Sequence, residues 1–279
     1  MFSHPPAISL IAKLHEVEGE GTHRPKALAR MFGANPVSSE GRSWYTGAQG
    51  ELVVARRLDS LSAEGYTVLH SVPIGRGESD IDHVVISPLG AVHVINTKAH
   101  RRARISVYNF SLYVNGSKTD YVRNSDYEGR RVAKLLAGLW GHVPPVTPHL
   151  VFVQAASITI KTPPARVRIV ADHQLLESLR GSERVRWESM TPEERSGLHA
   201  LVAARDLEAL DSPTTWTGRE IDSFDQETLL PWFADLERRS ASAGRRRMGW
   251  SLVGPLAGIA ASLTAIPVLN VLLLAVLAR

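Results

Sequence analysis

The sequence predicts an α/β fold. A helix, three strands, a second helix and a further strand surround a mixed sheet, and helical additions and a long apolar C-terminal helix follow. Three observations predict it. Over residues 46–61 the apolar side chains Val54, Ala55, Leu58 and Leu61 recur at helical spacing. The runs 66–70, 80–86 and 91–97 are rich in β-branched residues and bounded by turn signals. Residues 250–278 carry no charged side chain. Of the 279 residues 44% are hydrophobic, enough for a sizeable core. The absence of cysteine excludes disulfides, cysteine-ligated zinc, iron–sulfur clusters and a cysteine nucleophile. The net charge of +4 permits anionic partners such as nucleic acid or lipid headgroups without demanding them.

Taken in order, residues 1–43 read as an extension. Ile8, Leu10, Ile11 and Leu14 start a short helix that Gly19, Gly21 and Pro25 break, and Leu28, Met31 and Phe32 form another turn. The start of the chain lacks the pattern of a signal peptide. Thr46 is placed as an N-cap with Gln49 three residues on. Glu51 falls on the apolar stripe of that helix, where a carboxylate is costly unless paired, hydrogen-bonded or metal-bound. The alternative is that it complements the helix dipole in the first turn. Pro88, Leu89 and Gly90 read as a hairpin turn. A further hairpin is expected over 104–107 and 111–114. Ser125 with Glu128 reads as a capping box for a helix bearing Val132, Leu135, Leu136 and Leu139 and ending near Gly141. Strands at 149–154 and 167–170, a helix at 172–179 and a helix at 191–210 with Pro192 in its first turn follow. Residues 221–239 are expected to be helical in part, interrupted at Pro231.

Alternate residues of a strand share a face. Asp82 therefore lies with Val84 and Ile86, and Asn96 and Lys98 lie with Val92 and Val94. A hairpin turning at 88–90 brings Asp82 and Asn96 opposite each other, so polar groups converge on one end of an apolar face. Read from the residues alone, the same groups also fit a plain Asp82–Lys98 ion pair with Asn96 satisfying backbone. His83 and His93 fall on the opposite strand faces and read as core histidines. His100, Arg101, Arg102 and Arg104 stand at the mouth of this end, as phosphate contacts or as a solvated hairpin face.

The segments 47–51 (Gly-Ala-Gln-Gly-Glu), 80–90 (Asp-Ile-Asp-His-Val-Val-Ile-Ser-Pro-Leu-Gly), 94–98 (Val-Ile-Asn-Thr-Lys) and 121–125 (Tyr-Val-Arg-Asn-Ser) resemble the NERD (nuclease-related domain) family, in its actinobacterial variant with Asn-Thr-Lys. The resemblance covers residues 44–160. It implies a restriction-endonuclease-like αβββαβ core of the PD-(D/E)xK type and metal-dependent phosphodiester cleavage of DNA or RNA with Mg²⁺ or Mn²⁺. Carried over, Asp82, Asn96 and Glu51 are the metal residues, and Lys98 stabilises developing negative charge. Position 96 departs from the family's usual glutamate. Either Asn96 still ligates, or Asp80 supplies the missing charge from ~7 Å along the strand, or the domain is a catalytically inactive nucleic-acid-binding or scaffold module.

The expected organisation is an extension at 1–43, the nuclease-like core at 44–160, an αβ and helical addition at 161–235, a basic linker at 236–249 and a transmembrane helix at 250–278. A bilayer core of ~30 Å takes about 20 apolar residues as a helix. Arg245, Arg246 and Arg247 precede the span, and Arg279 is the sole charge after it. The positive-inside rule then places the N-terminal part in the cytoplasm of a single-pass membrane protein.

Overall fold

The computed structural model describes residues 4–19, 25–75, 80–203, 205–220 and 224–277, without the side chains of His199 and of 252–277. The elements are α1 (Ile8–Glu18), α2 (Ala27–Met31), α3 (Arg42–Asp59), β1 (Thr67–Pro73), β2 (Asp80–Ile86), β3 (Val92–Ala99), β4 (Arg104–Tyr108), β5 (Ser111–Val114), β6 (Ser117–Thr119), α4 (Tyr121–Trp140), β7 (Val146–Val153), β8 (Ser157–Thr162), β9 (Arg168–Ala171), α5 (Leu175–Ser189), α6 (Pro192–Ala203), α7 (Pro213–Thr217) and α8 (Gln226–Leu277). They fall into two compact units, one of residues 1–14 and 43–226, the other of 15–42 and 227–279.

The first unit holds the expected order of helix, three strands, helix and strand as α3, β1, β2, β3, α4 and β7. Its main sheet runs β1-β2-β3-β7-β9. The first three strands are antiparallel, and β3, β7 and β9 are parallel, so the sheet is mixed as expected. The turn at 88–90 is closed by the Ser87 and Gly90 amides, which donate to Ala91 and Ser87 carbonyls, both at 2.8 Å, with Gly90 at φ 77°. One face of the sheet buries Val72, Val84, Ile86, Val92 and Val94 against Val132 and Leu136 of α4. The other buries Val85, Ile95, Val151 and Val153 against Val54 and Leu58 of α3 and Leu175 and Leu179 of α5.

A second sheet, β6-β5-β4-β8, is built from three strands between β3 and α4 in the chain and a fourth, β8, after β7. β3 and β7 are parallel neighbours in the first sheet, and the strands that follow them, β4 and β8, are parallel neighbours in the second. Arg102 and Gln154 sit at these two crossings with φ of 58° and 56°, and the Arg102 amide donates to the Gln154 carbonyl at 2.8 Å. A left-handed residue turns each strand, and the shared bond keeps the pair in step. Ile105, Val107 and Leu112 close a third core over Leu150 and Phe152.

Several local expectations differ. α3 begins at Arg42, so Thr46 lies inside the helix rather than capping it. α4 begins at Tyr121, and Ser125 is buried one turn in, not an N-cap. The strands β6 and β8 were not expected from the sequence. α6 ends at Ala203, but its start is as expected: Thr191 and Glu194 cap each other through bonds of 2.8 and 3.2 Å ahead of Pro192.

In the second unit α8 runs through Pro231 and through 236–249, so the expected interruption and basic linker are helical. Pro231 is the sixth residue of α8, past the first turn, so it forgoes one bond to the Glu227 carbonyl and the helix continues on either side of it. Gly33 lets the chain approach α8 closely: a Cβ there would lie 2.5 Å from the Ala243 carbonyl oxygen. The Trp250 indole donates to the Met31 carbonyl at 3.0 Å. Among the described residues no helix is long and apolar enough to cross a membrane. The span expected at 250–278 falls almost wholly on side chains outside the described ones.

Histidines occupy the α3/α5 face of the main sheet. His70 and His83 are cross-strand partners whose Nδ1 atoms share a 2.8 Å hydrogen bond. His93 and His149 stack edge to face at 5.2 Å, and His149 Nδ1 donates to the Thr147 carbonyl. Burial pushes His93 down to about 3 and His149 down to about 4. Both are therefore neutral in the folded chain at pH 5, whereas the unfolded chain protonates them below about 6.5. Stability from their neutral burial is complete above that value and is lost as pH falls toward 4, by up to about 1.4 kcal/mol per pH unit for each histidine. The slope of unfolding free energy between pH 6.5 and 4.5, from urea titrations, is expected to be shallower in His149→Gln than in the wild type. Equal slopes would contradict this reading of His149.

Candidate active site

The β2–β3 ladder reaches the pair His83 and Ile95. One step further stand Asp82 and Asn96, on the face that α4 covers. Here the strands part, and the Asp82 carboxylate accepts the Thr97 backbone N–H. Asp80 lies two residues back on the same face, with Oδ2 accepting from Ser9 Oγ at 2.5 Å. Lys98, two residues beyond Asn96, holds its Nζ 5.3 Å over the Tyr121 ring.

Glu51 comes from α3. Gly50 rests against the end of β3, where an added Cβ would lie 2.7 Å from the Ala99 Cβ. That close approach brings Glu51 to the strand ends. Glu51 is 6% exposed and Asn96 9%. Neither Glu51 Oε2 nor Asn96 Oδ1 accepts a hydrogen bond among the described residues. A buried oxygen without a donor is costly.

The electrostatics follow. Burial, then the charges of Asp82 and Asp80, push the Glu51 carboxyl well above the usual carboxylate range, and Lys98 opposes the shift. Burial raises Asp82 to about 7, against the attraction of Lys98 and the bond from Thr97. Burial also raises Asp80 and Glu128. Carboxylates that repel one another in a place poor in donors fit a hard cation bound through oxygen. Among the described residues no three His, Asp or Glu side chains form a ready cage. For such a cation the amide oxygen of Asn96 would have to add to the acids.

Glu51, Asp82, Asn96 and Lys98 thus meet at one end of the sheet. The basic run places differently. Arg101 and Arg102 are exposed in the turn after β3, and Arg104 is exposed at the start of β4. His100 bonds the Tyr121 hydroxyl at 3.0 Å and stacks on Phe152. Burial and Lys98 lower its pKa. Other guanidinium groups, from α4, share a cavity with Asp80 and Glu128, though Glu51, Asp82, Asn96 and Lys98 do not line it. Arg123, Arg130 and Arg131 line a space of about 450 Å³ together with Asp80, Glu128 and Tyr127. Sequence reasoning assigned Glu128 to a cap. Its Oε2 instead accepts from Asn96 Nδ2 at 2.8 Å. The signal was available, since Glu128 lies on the stripe of Ser125, Gly129 and Val132 that α4 buries.

Gly50→Ala is expected to lower stability by about 1–3 kcal/mol, because neither backbone can yield without moving Glu51 or β3. Chemical denaturation of the two proteins checks it, and an unchanged midpoint would contradict the close approach.

The family model of the nuclease-related domain, NERD, matches residues 46–153. Neither the curated proteins nor the solved structures compared give a match. The matched segment begins within α3, ends with β7 and contains Glu51, Asp82, Asn96 and Lys98. Over residues 46–153 this chain is thus similar to the nuclease-related domain family.

Proposed function

We propose that the domain cleaves phosphodiester bonds of DNA or RNA with Mg²⁺ or Mn²⁺, at the cytoplasmic face of a membrane to which the apolar C-terminal segment anchors it. The observation that carries the reading is the convergence of Glu51, Asp82 and Asn96 with two buried oxygens that have no donor among the described residues. A divalent ion in such a site polarises the phosphate and lowers the pKa of bound water. Asp82 and the Asn96 amide oxygen would hold it, with Glu51 behind them. Lys98 supplies a positive charge to the oxygen on which negative charge develops, and Tyr121 limits where the ammonium can go. Arg123, Arg130 and Arg131 suit the flanking phosphates, which bind largely through such contacts.

Asn96 favours a second reading. A neutral side chain in place of an acid weakens a metal site, which suits a module that binds nucleic acid without cutting it. Incubation of the full-length protein with plasmid, single-stranded DNA and RNA, with Mg²⁺ or Mn²⁺, separates the two. Cleavage that chelator stops, and that falls at least about 100-fold in Asp82→Asn and in Lys98→Ala, is expected. Chelator-insensitive binding without cleavage would favour the module. Cell fractionation tests the anchor: the full chain is expected in the membrane fraction, and recovery without detergent would contradict it.

A further inference from the structure

Asn96 has one polar end satisfied and one without a donor among the described residues. Nδ2 donates to Glu128 at 2.8 Å, while Oδ1 is buried. A carboxylate only accepts, so Glu128 selects which end of the amide faces it. The oxygen is thereby the end of the amide turned away from Glu128.

Asp80 is another acid close enough to act on Asp82, but its Oδ2 is taken by Ser9. Glu128 is tied to position 96 itself, by the 2.8 Å hydrogen bond from Asn96 Nδ2.

We propose that Glu128 is a positioning residue for a divalent cation at Asp82, Asn96 and Glu51. Acting through Asn96, it fixes the amide with Oδ1 as the free ligand and supplies, one hydrogen bond away, the negative charge that asparagine lacks. The paired side chains from β3 and α4 do together what a single acid at position 96 would do. The proposal rests on the metal-dependent reading above. Partners that orient a ligand in this way are worth about 10–100-fold in metal affinity.

The test is Mn²⁺ binding to the full-length protein, read from the spin resonance of free Mn²⁺ and independent of any cleavage. Glu128→Gln keeps an acceptor for Asn96 Nδ2 and removes only the charge. It is expected to weaken Mn²⁺ binding at least about tenfold with little change in melting temperature. The exchange variant Asn96→Glu/Glu128→Gln returns the charge to β3 and is expected to bind within about threefold of the wild type. Should Glu128→Gln not fold, the exchange variant decides alone: wild-type affinity supports the proposal, and loss of binding overturns it. Wild-type affinity in Glu128→Gln, with binding lost in Asp82→Asn, would overturn the role of Glu128 and leave the metal reading standing. A wild type that takes up no Mn²⁺ overturns both.

Discussion

The placement of like-charged carboxylates where protein largely replaces water is the constraint around which the first unit is organised. Glu51 is buried, Asp82 and Asp80 are partly buried, and each raises the proton affinity of another. One N–H from Thr97, one hydroxyl from Ser9 and the charge of Lys98 offset part of this. Fully charged, the cluster is under-compensated by the described residues. Such arrangements are characteristic of functional sites, where interactions are strained in favour of something that binds.

The fold creates the cluster by ending one sheet and starting another at the same place. β2 and β3 stop pairing at His83 and Ile95, which frees the neighbouring positions to carry polar groups. β3 and β7 then leave together through Arg102 and Gln154 for the second sheet. Two glycines bring helices against this edge. Gly50 seats α3 on Ala99, and at Gly129 of α4 an added Cβ would lie 2.4 Å from the Pro148 ring on β7. The first approach delivers Glu51 and the second delivers Glu128. The acids are thus set by backbone contacts, which hold position better than long side chains on loops.

Much of this was legible locally. The period-2 alternation of β2 and β3 and the turn at Gly90 placed Asp82, Asn96 and Lys98 on one face, and the helical stripe of α3 placed Glu51 inward. The same rule applied to α4 points to Glu128, but Ser125 three residues earlier offered a competing cap. That reading failed because α4 gains a further turn from Tyr121, whose ring meets Lys98 and whose hydroxyl meets His100. β8 was not legible for another reason. Its residues Ser157–Thr162 are mostly exposed, and its strand character comes from parallel pairing with β4, about fifty positions earlier in the chain. α8 likewise continues through Pro231, where the sequence signals a break, because a proline there costs one backbone bond and the residues on either side keep theirs.

The central claim is that these acids and the Asn96 amide make a place for one divalent ion. An anomalous difference map at the manganese edge, from crystals of the full chain soaked in Mn²⁺, tests it most directly. The account predicts a single strong peak at about 2.0–2.4 Å from an Asp82 oxygen and from Asn96 Oδ1. A map without density there, or with the ion bound only at surface carboxylates elsewhere, would contradict it.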